Sequence, residues 1–318
     1  MIASGPIPVR IHEIEQLSPT LKRFAFAPLH GGPLPTPSAG AHVLVTLRHE
    51  GRVMKNAYSL VSPPESRARY EIIVRHVAQS RGGSRFLHQS VARGDVIEIG
   101  VPGNLFPLAA KARKHLLIAG GIGITPLLSY VPALKARGAR FELHQLCTAD
   151  EAPVFEKLLA PHAAGEDIFI HGNGRAAFDL AGILARQPLG THVYTCGPRA
   201  LMDAVITSAV ALGWPSGKIH RESFGDASGG LPFKAVLAKS GIEIQVADNQ
   251  TLLEALEAQG IAAPCLCRGG ACGECKLDVL DGEVEHRDDF LSAEEKASQK
   301  FMMPCVSRAR TAQVVLDF

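Results

Sequence analysis

Short β-rich runs of apolar and polar positions, separated by turn signals, fill the first part of the chain: Arg10 to Ile14, Leu21 to Phe26, His42 to Leu47, Tyr70 to His76 and Asp95 to Ile99. Such runs predict strands, and Gly and Pro clusters such as GGPLPTPSAG between them predict turns, so this part reads as an antiparallel barrel or sandwich. The pattern changes near Lys111. HLLIAGG is a continuous apolar run that feeds a Gly-rich turn and a helix. Further strands at Phe141 to Leu146 and His192 to Thr195 alternate with helical stretches, which predicts a parallel α/β sheet. FGDASGG (224–230) then reads as a small-residue linker. After it come a hairpin (Phe233 to Ala238 with Ile242 to Val246), a helix opened by a capping box of Thr251 and Glu254, and a cysteine-rich loop.

A length of 318 residues accommodates two or three domains at ~150 residues each. With 46% hydrophobic residues and a net charge of +2, the composition excludes a disordered or acidic-tail chain. No long basic run marks a nucleic-acid face, so no such partner is expected. The stretch Leu116 to Leu134 is apolar, but three glycines and two prolines interrupt it, which suits a buried strand, turn and helix better than a membrane span. Arg10, Glu13 and Glu15 interrupt any secretory h-region, so a cytoplasmic protein, expected as a monomer, is the reading.

Seven cysteines are an odd number for a disulfide scaffold, and four of them lie between Cys265 and Cys275. Cys267, Cys272, Cys275 and Cys305 have the spacing C-x4-C-x2-C-x29-C, the plant-type arrangement for a 2Fe-2S cluster. Gly269, Gly270 and Gly273 would let backbone N–H groups approach its sulfurs. The alternative, structural zinc, ordinarily uses two short knuckles where this chain has one. Cys265 lacks the four-residue spacing to Cys272 and reads as a small buried neighbour; Cys147 and Cys196 read by default as core thiols. DGEVEHRDDF (281–290) is expected as a solvated acidic hairpin, with a part in partner docking as the alternative.

GGIGITP (120–126) follows a buried strand and precedes a helix, so Gly120, Gly121 and Gly123 could admit a pyrophosphate at the helix N-terminus; tight strand-to-helix packing would also call for glycine. A second strand ends in Cys196-Gly197-Pro198 and opens another helix, bringing two strand ends to one dinucleotide. Asp150 stands where it could accept a hydrogen bond from a ribose, with no adjacent Arg for a 2′-phosphate, which favours NADH; it could equally be a helix N-cap ahead of Pro153. In SRGGSRFLHQS, Gly82, Gly83 and Ser84 could form a phosphate nest with charge from Arg81, and NAYSL sets the Tyr58 ring and the Ser59 hydroxyl at a strand end. Nicotinamide gives two electrons as hydride whereas an iron-sulfur cluster takes one at a time, so a chain holding both needs a carrier such as flavin.

The order of a YS-containing barrel, GGIGITP, CGP, a late E-x-F (Glu222 to Phe224) and C-x4-C-x2-C-x29-C resembles the phthalate dioxygenase reductase family over essentially the whole chain. NAYSL, RKHLLIAGGIGITP, THVYTCGP and CLCRGGACGEC are similar to the reductases of carnitine monooxygenase and related Rieske oxygenases within it. The resemblance implies a multidomain fold. An antiparallel β-barrel FMN domain (1–109) would be followed by a parallel-sheet α/β NADH domain (110–224), a linker (225–232) and an α+β, β-grasp 2Fe-2S ferredoxin domain (233–318).

It implies that Tyr58 and Ser59, with Asn56, Ala57, Ile73 and Val74, contact the flavin, that Arg75 and Arg81 through Ser84 hold the FMN phosphate, and that Thr125 and Pro126 with Cys196 meet the nicotinamide. Phe224 would lie near the flavin; Ser59, Thr125, Cys196 and Phe224 would position reactants rather than act as acid or base. Asn56 departs from the pattern, standing where many relatives carry Arg; Lys55 and Arg81 are the candidates to replace that charge. The implied acceptor is a Rieske-type oxygenase in a transient complex. A gap of at least ~250 mV from a plant-type cluster to a Rieske centre, some four decades of equilibrium constant for one electron, makes transfer one-way. A stand-alone flavin and iron-sulfur diaphorase and a redox sensor are the alternatives.

Overall fold

The computed structural model describes residues 5–49, 51–78, 82–163, 167–173, 178–225 and 229–318. The chain divides into two compact units, Met1–Val45 with Tyr58–His76 and Val91–Glu222, and Thr46–Ala57 with Val77–Ser90 and Ser223–Phe318.

β1 (Ile7–Ser18), β2 (Leu21–Pro28), β3 (His42–His49), β4 (Arg52–Ser59), β5 (Tyr70–Arg75) and β6 (Val96–Ile99) form one sheet in the order β4-β3-β6-β1-β2-β5; β1 pairs antiparallel with β2 and β6, and β2 with β5. Strand β3 runs from the first unit into the second, where α1 (Gly83–Gln89) also lies, and β4 runs from the second back into the first.

The rest of the first unit is a parallel sheet. β7 (Lys114–Gly120), β8 (Phe141–Leu146), β9 (Asp167–His171), β10 (Thr191–Cys196) and β11 (Ile219–Glu222) are ordered β11-β10-β7-β8-β9. Around them are α2 (Ile124–Ala136), α3 (Ala152–Leu159), α4 (Leu180–Ala185) and α5 (Arg199–Ala211). Every residue of β7 is buried, as a strand covered on both faces requires: Leu117 and Ala119 join a core with α2, Leu116 and Ile118 one with α5. The apolar stretch from Leu116 is thus a buried strand, turn and helix, and among the described residues no helix is long and apolar enough to cross a membrane.

In the second unit β12 (Phe233–Leu237), β13 (Ile242–Val246), β14 (Leu277–Asp281), β16 (Phe301–Met302) and β18 (Gln313–Leu316) form a mixed sheet, β13-β12-β18-β14-β16, in which β12 and β18 are parallel. Leu252, Ala255 and Leu256 of α6 (Leu252–Ala258) pack into its core. The capping box forms as expected: Thr251 accepts from the Glu254 N–H, and the Glu254 carboxylate accepts from the Thr251 N–H. A second box, Ser292 with Glu295, opens α7 (Ala293–Ser298).

The acidic hairpin does not form. β14 pairs with β16 and β18, while β15 (Val284–Glu285) pairs with β17 (Arg308–Ala309), so the strands flanking Gly282 part company. Nor is the segment all solvated. The Asp288 side chain is fully buried, accepting the Leu291 N–H at 2.8 Å and the Ser307 hydroxyl at 3.4 Å. A carboxylate with several local donors is satisfied without water, which charge counting along the chain cannot reveal.

Candidate functional site

The strand order of the parallel sheet reverses between β7 and β10, and ligands of open α/β sheets bind outside the carboxyl ends at such a switch point. Both motifs lie there: the Gly-rich turn follows β7 and Cys196-Gly197-Pro198 ends β10. The two turns touch backbone to backbone. A Cβ on Gly120 would lie 2.7 Å from Pro198 Cδ, and one on Gly123 would overlap the Cys196 carbonyl. Gly197, at φ 149°, faces Gly120 in return. Packing alone therefore requires these three glycines.

Thr125 is buried in the first turn of α2 and donates its hydroxyl to the Ile122 carbonyl at 3.0 Å; Pro126 follows, its carbonyl accepting from Ser129. Cys196 is fully buried, and burial pushes its thiol well above the usual range, so it is a neutral contact group. In register beside it, Glu222 ends β11. Burial raises the Glu222 carboxyl to about 8 against the hydrogen bond donated by Ser59, and its Oε2 finds no partner among the described residues. In the sequence Glu222 stands out only as part of E-x-F; nothing local marks its carboxyl as desolvated.

Ser59 is buried and Tyr58 half-buried at the end of β4. Ile73 and Val74 are core residues, leaving only their backbone for a ligand. Arg75, at the end of β5, pairs with Glu151 at 2.5 Å, and its Nη2 would be 3.3 Å from a Cβ on Gly121, so it is engaged at the Gly-rich turn. Asp150 is exposed, its carboxyl held below the usual range by the Thr148 hydroxyl and neighbouring N–H groups. It does not cap α3: Glu151 occupies that position.

In the second unit, Gly82 precedes α1 at φ 110°, and a Cβ on Gly83 would meet the Asn56 amide at 2.9 Å. Ala57 is exposed. The Ser84 hydroxyl accepts the Val77 N–H at 3.3 Å. Lys55, a candidate for the missing charge, is committed elsewhere, 3.0 Å from Glu257. Arg81 lies outside the described residues.

The four spaced cysteines fall into two pairs. Cys275 and Cys305 are 3.2 Å apart through sulfur, and Cys267 and Cys272 share a hydrogen bond. Cys265 belongs to neither; its sulfur is 3.7 Å from Arg268 Nη1. The N–H groups of Gly269 and Ala271 donate to Cys267 Sγ at 3.3 and 3.4 Å. Among the described residues no three His, Cys, Asp or Glu side chains are gathered to hold one ion. Two dithiol pairs suit a binuclear cluster, in which each iron takes two thiolates and shares bridging sulfides, better than one tetrahedral zinc. Gly273 (φ 80°) has a further reason to be glycine: a Cβ would run into the Phe290 ring. Phe224, 47% exposed, adjoins this loop; its carbonyl is 3.7 Å from a Cβ position on Gly269.

Three domain families match in chain order: an oxidoreductase FAD-binding domain at 8–106, the N-terminal domain of dimethylamine monooxygenase subunit DmmA-like proteins at 103–219, and a 2Fe-2S iron-sulfur cluster binding domain at 236–310. The carnitine monooxygenase reductase subunit of Acinetobacter baumannii is 43% identical over 98% of this chain and 97% of its own. A solved phthalate dioxygenase reductase superposes with a TM-score of 0.88 at 35% identity, covering 99% of this chain and 98% of that one. The chain belongs to the phthalate dioxygenase reductase family. Another relative, the heme-dependent oxidative N-demethylase beta subunit of Ectopseudomonas mendocina, is 45% identical over 97% of this chain and 98% of its own. As a family member the protein is a reductase component of an oxygenase system, carrying electrons from pyridine nucleotide through flavin to a 2Fe-2S cluster. The expected three-part architecture and cysteine cluster agree with this membership.

Proposed function

We propose that the protein oxidises NADH, carries FMN, and delivers electrons singly to a Rieske-type oxygenase in a transient cytoplasmic complex, itself a monomer. Residues 1–109, 110–224 and 233–318 would be the FMN, NADH and ferredoxin domains, with 225–232 as the linker. The observation that carries the reading is that one chain holds both a nucleotide-type switch point and two dithiol pairs. When bound, FMN would accept hydride and release its electrons one at a time.

The chain's own residues supply alignment and exclude water. Gly120, Gly121 and Gly123 with Gly197 and Pro198 would receive the dinucleotide, and Thr125 and Cys196 the nicotinamide. The exposed Asp150 carboxylate suits a ribose hydroxyl and repels a 2′-phosphate, which supports NADH. Tyr58 and Ser59, with Asn56, Ala57 and the backbone of Ile73 and Val74, would border the flavin. Glu222 would keep a proton beside Ser59 at neutral pH. Gly82, Gly83 and Ser84 would offer N–H groups to one phosphate, with Arg75 and Arg81 supplying charge. Cys267, Cys272, Cys275 and Cys305 would hold the cluster, and Phe224 would lie near the flavin.

The expected result is NADH-dependent cytochrome c reduction that Cys272→Ser abolishes while ferricyanide reduction survives, with two irons per chain. Zinc in place of iron, or cytochrome c turnover persisting in the variant, would sink the reading; acid extraction of the pigment separates FMN from FAD. A second reading of the partner has specific support: the N-demethylase relative and the dimethylamine monooxygenase domain match favour an oxygenase that is heme-dependent and acts on an N-methyl amine. Reduction of a purified heme partner rather than a Rieske partner would select it.

A further inference from the structure

We infer that Lys55 is a positioning residue for the electron-transfer step: through Glu257 and Arg268 it ties the strand bearing the proposed flavin contacts to the ligand loop of the cluster. The inference rests on the flavin reading of β4. Lys55, Asn56, Ala57, Glu257, Cys267 and Arg268 all lie in the second compact unit.

Lys55 lies on β4, an edge strand, immediately before Asn56 and close to Tyr58 and Ser59. Its Nζ is 3.0 Å from Glu257 Oε1 on α6. The same carboxylate receives a two-pronged pair from Arg268, at 2.9 Å (Nη1 to Oε1) and 2.8 Å (Nη2 to Oε2). Arg268 directly follows Cys267 and has φ 53°, a left-handed conformation uncommon for a side-chain-bearing residue. Its anchored guanidinium holds the turn from which the Gly269 and Ala271 N–H groups reach Cys267 Sγ. An unbroken run of covalent, ionic and hydrogen bonds thus leads from a cluster ligand to the flavin strand.

The two halves of this run differ in strength. The Arg268 side chain is 4% exposed, and its bidentate, charge-assisted pair is the strong kind. Lys55 and Glu257 are 36% and 26% exposed, so their pair is weak and sensitive to salt. Arg268 therefore keeps the shape of the ligand loop, while the Lys55 contact is the one that yields. Lys55 itself moves neither electron nor proton; it sets how much of the time the loop is held against β4.

The test compares flavin- and iron-loaded wild-type protein with Lys55→Gln and Lys55→Arg. Each is mixed anaerobically with NADH in a stopped-flow instrument at low and high salt, following flavin and cluster bleaching separately. Hydrogen exchange is read over 53–57 and 252–258. Lys55→Gln should reduce flavin at the wild-type rate but the cluster about fivefold more slowly at low salt, the scale of one exposed ion pair. It should also lose the salt dependence and exchange faster in both segments, and Lys55→Arg should restore all three. Wild-type cluster rates and exchange in Lys55→Gln overturn the proposal. So does loss of flavin from that variant, which would make Lys55 a flavin ligand. Failure of the flavin reading itself looks different: NADH would then reduce no flavin in the wild-type protein.

Discussion

Glu222 ends the short strand IHRE, with nothing nearby in the chain to distinguish it from a surface carboxylate. Its neighbours in space are Ser59, from the end of β4, and Cys196, from the adjacent strand. Loss of water around it raises its carboxyl to about 8. The native state therefore holds this proton more tightly than the unfolded chain. Stability contributed here is full below the ordinary value of 4.5 and is lost as pH rises through about 8. Thermal melts of Glu222→Gln should lack that slope and exceed wild type above the upper value; a parallel slope in the variant would place the effect elsewhere. Lys55 teaches the same lesson: the missing family Arg at Asn56 made it a candidate phosphate partner, yet a carboxylate on α6 takes it.

At the scale of elements, the strands before residue 223 that escaped sequence reading share a position. β9 and β11 are the edges of the parallel sheet, and β4, read only at its end, is an edge of the antiparallel one. Edge strands carry more charge and are less completely covered, so their apolar pattern is weaker. β7, buried on both faces, stood out for the opposite reason. The capping boxes make a matched pair: Thr251 and Ser292 carry the same signature, but only the first precedes an apolar helix, so α7 went unread. Thr251→Ala and Ser292→Ala should each cost about 1 kcal/mol, read as a shift of the urea midpoint. The buried Thr251 should cost the more, and equal shifts would show that burial around α6 adds nothing.

For the whole molecule, stability in acid should be governed by histidines of the parallel sheet. His115, His192 and His220 stand on neighbouring strands; His192 and His220 are 2.9 Å apart, and Tyr194 stacks on His220. Burial lowers all three, His220 to about 4, with His192 and His115 adding repulsion there. The unfolded chain binds these protons first, so stability is lost as pH falls from 6.5 toward about 4. Glu142, held at about 2 by hydrogen bonds from His144, Lys114 and Gln187, adds a loss that begins below 4.5. His220→Phe, which keeps a ring against Tyr194, should make the fall in melting temperature shallower; an unchanged profile would assign the acid limb to other groups.

What the sequence determined by itself was the set of electron carriers and their order along the chain. The C-x4-C-x2-C run, a Gly-rich turn after an apolar strand and a capping box are all local, and a short stretch of residues carries each of them. Tertiary structure decided which groups keep their ordinary chemistry. Whether Glu222 holds its proton, Asp288 is dry, or Lys55 faces Glu257 depends on water removed and partners supplied by elements distant in the chain. Desolvation and ion pairing act through space, so no run of neighbouring residues records them.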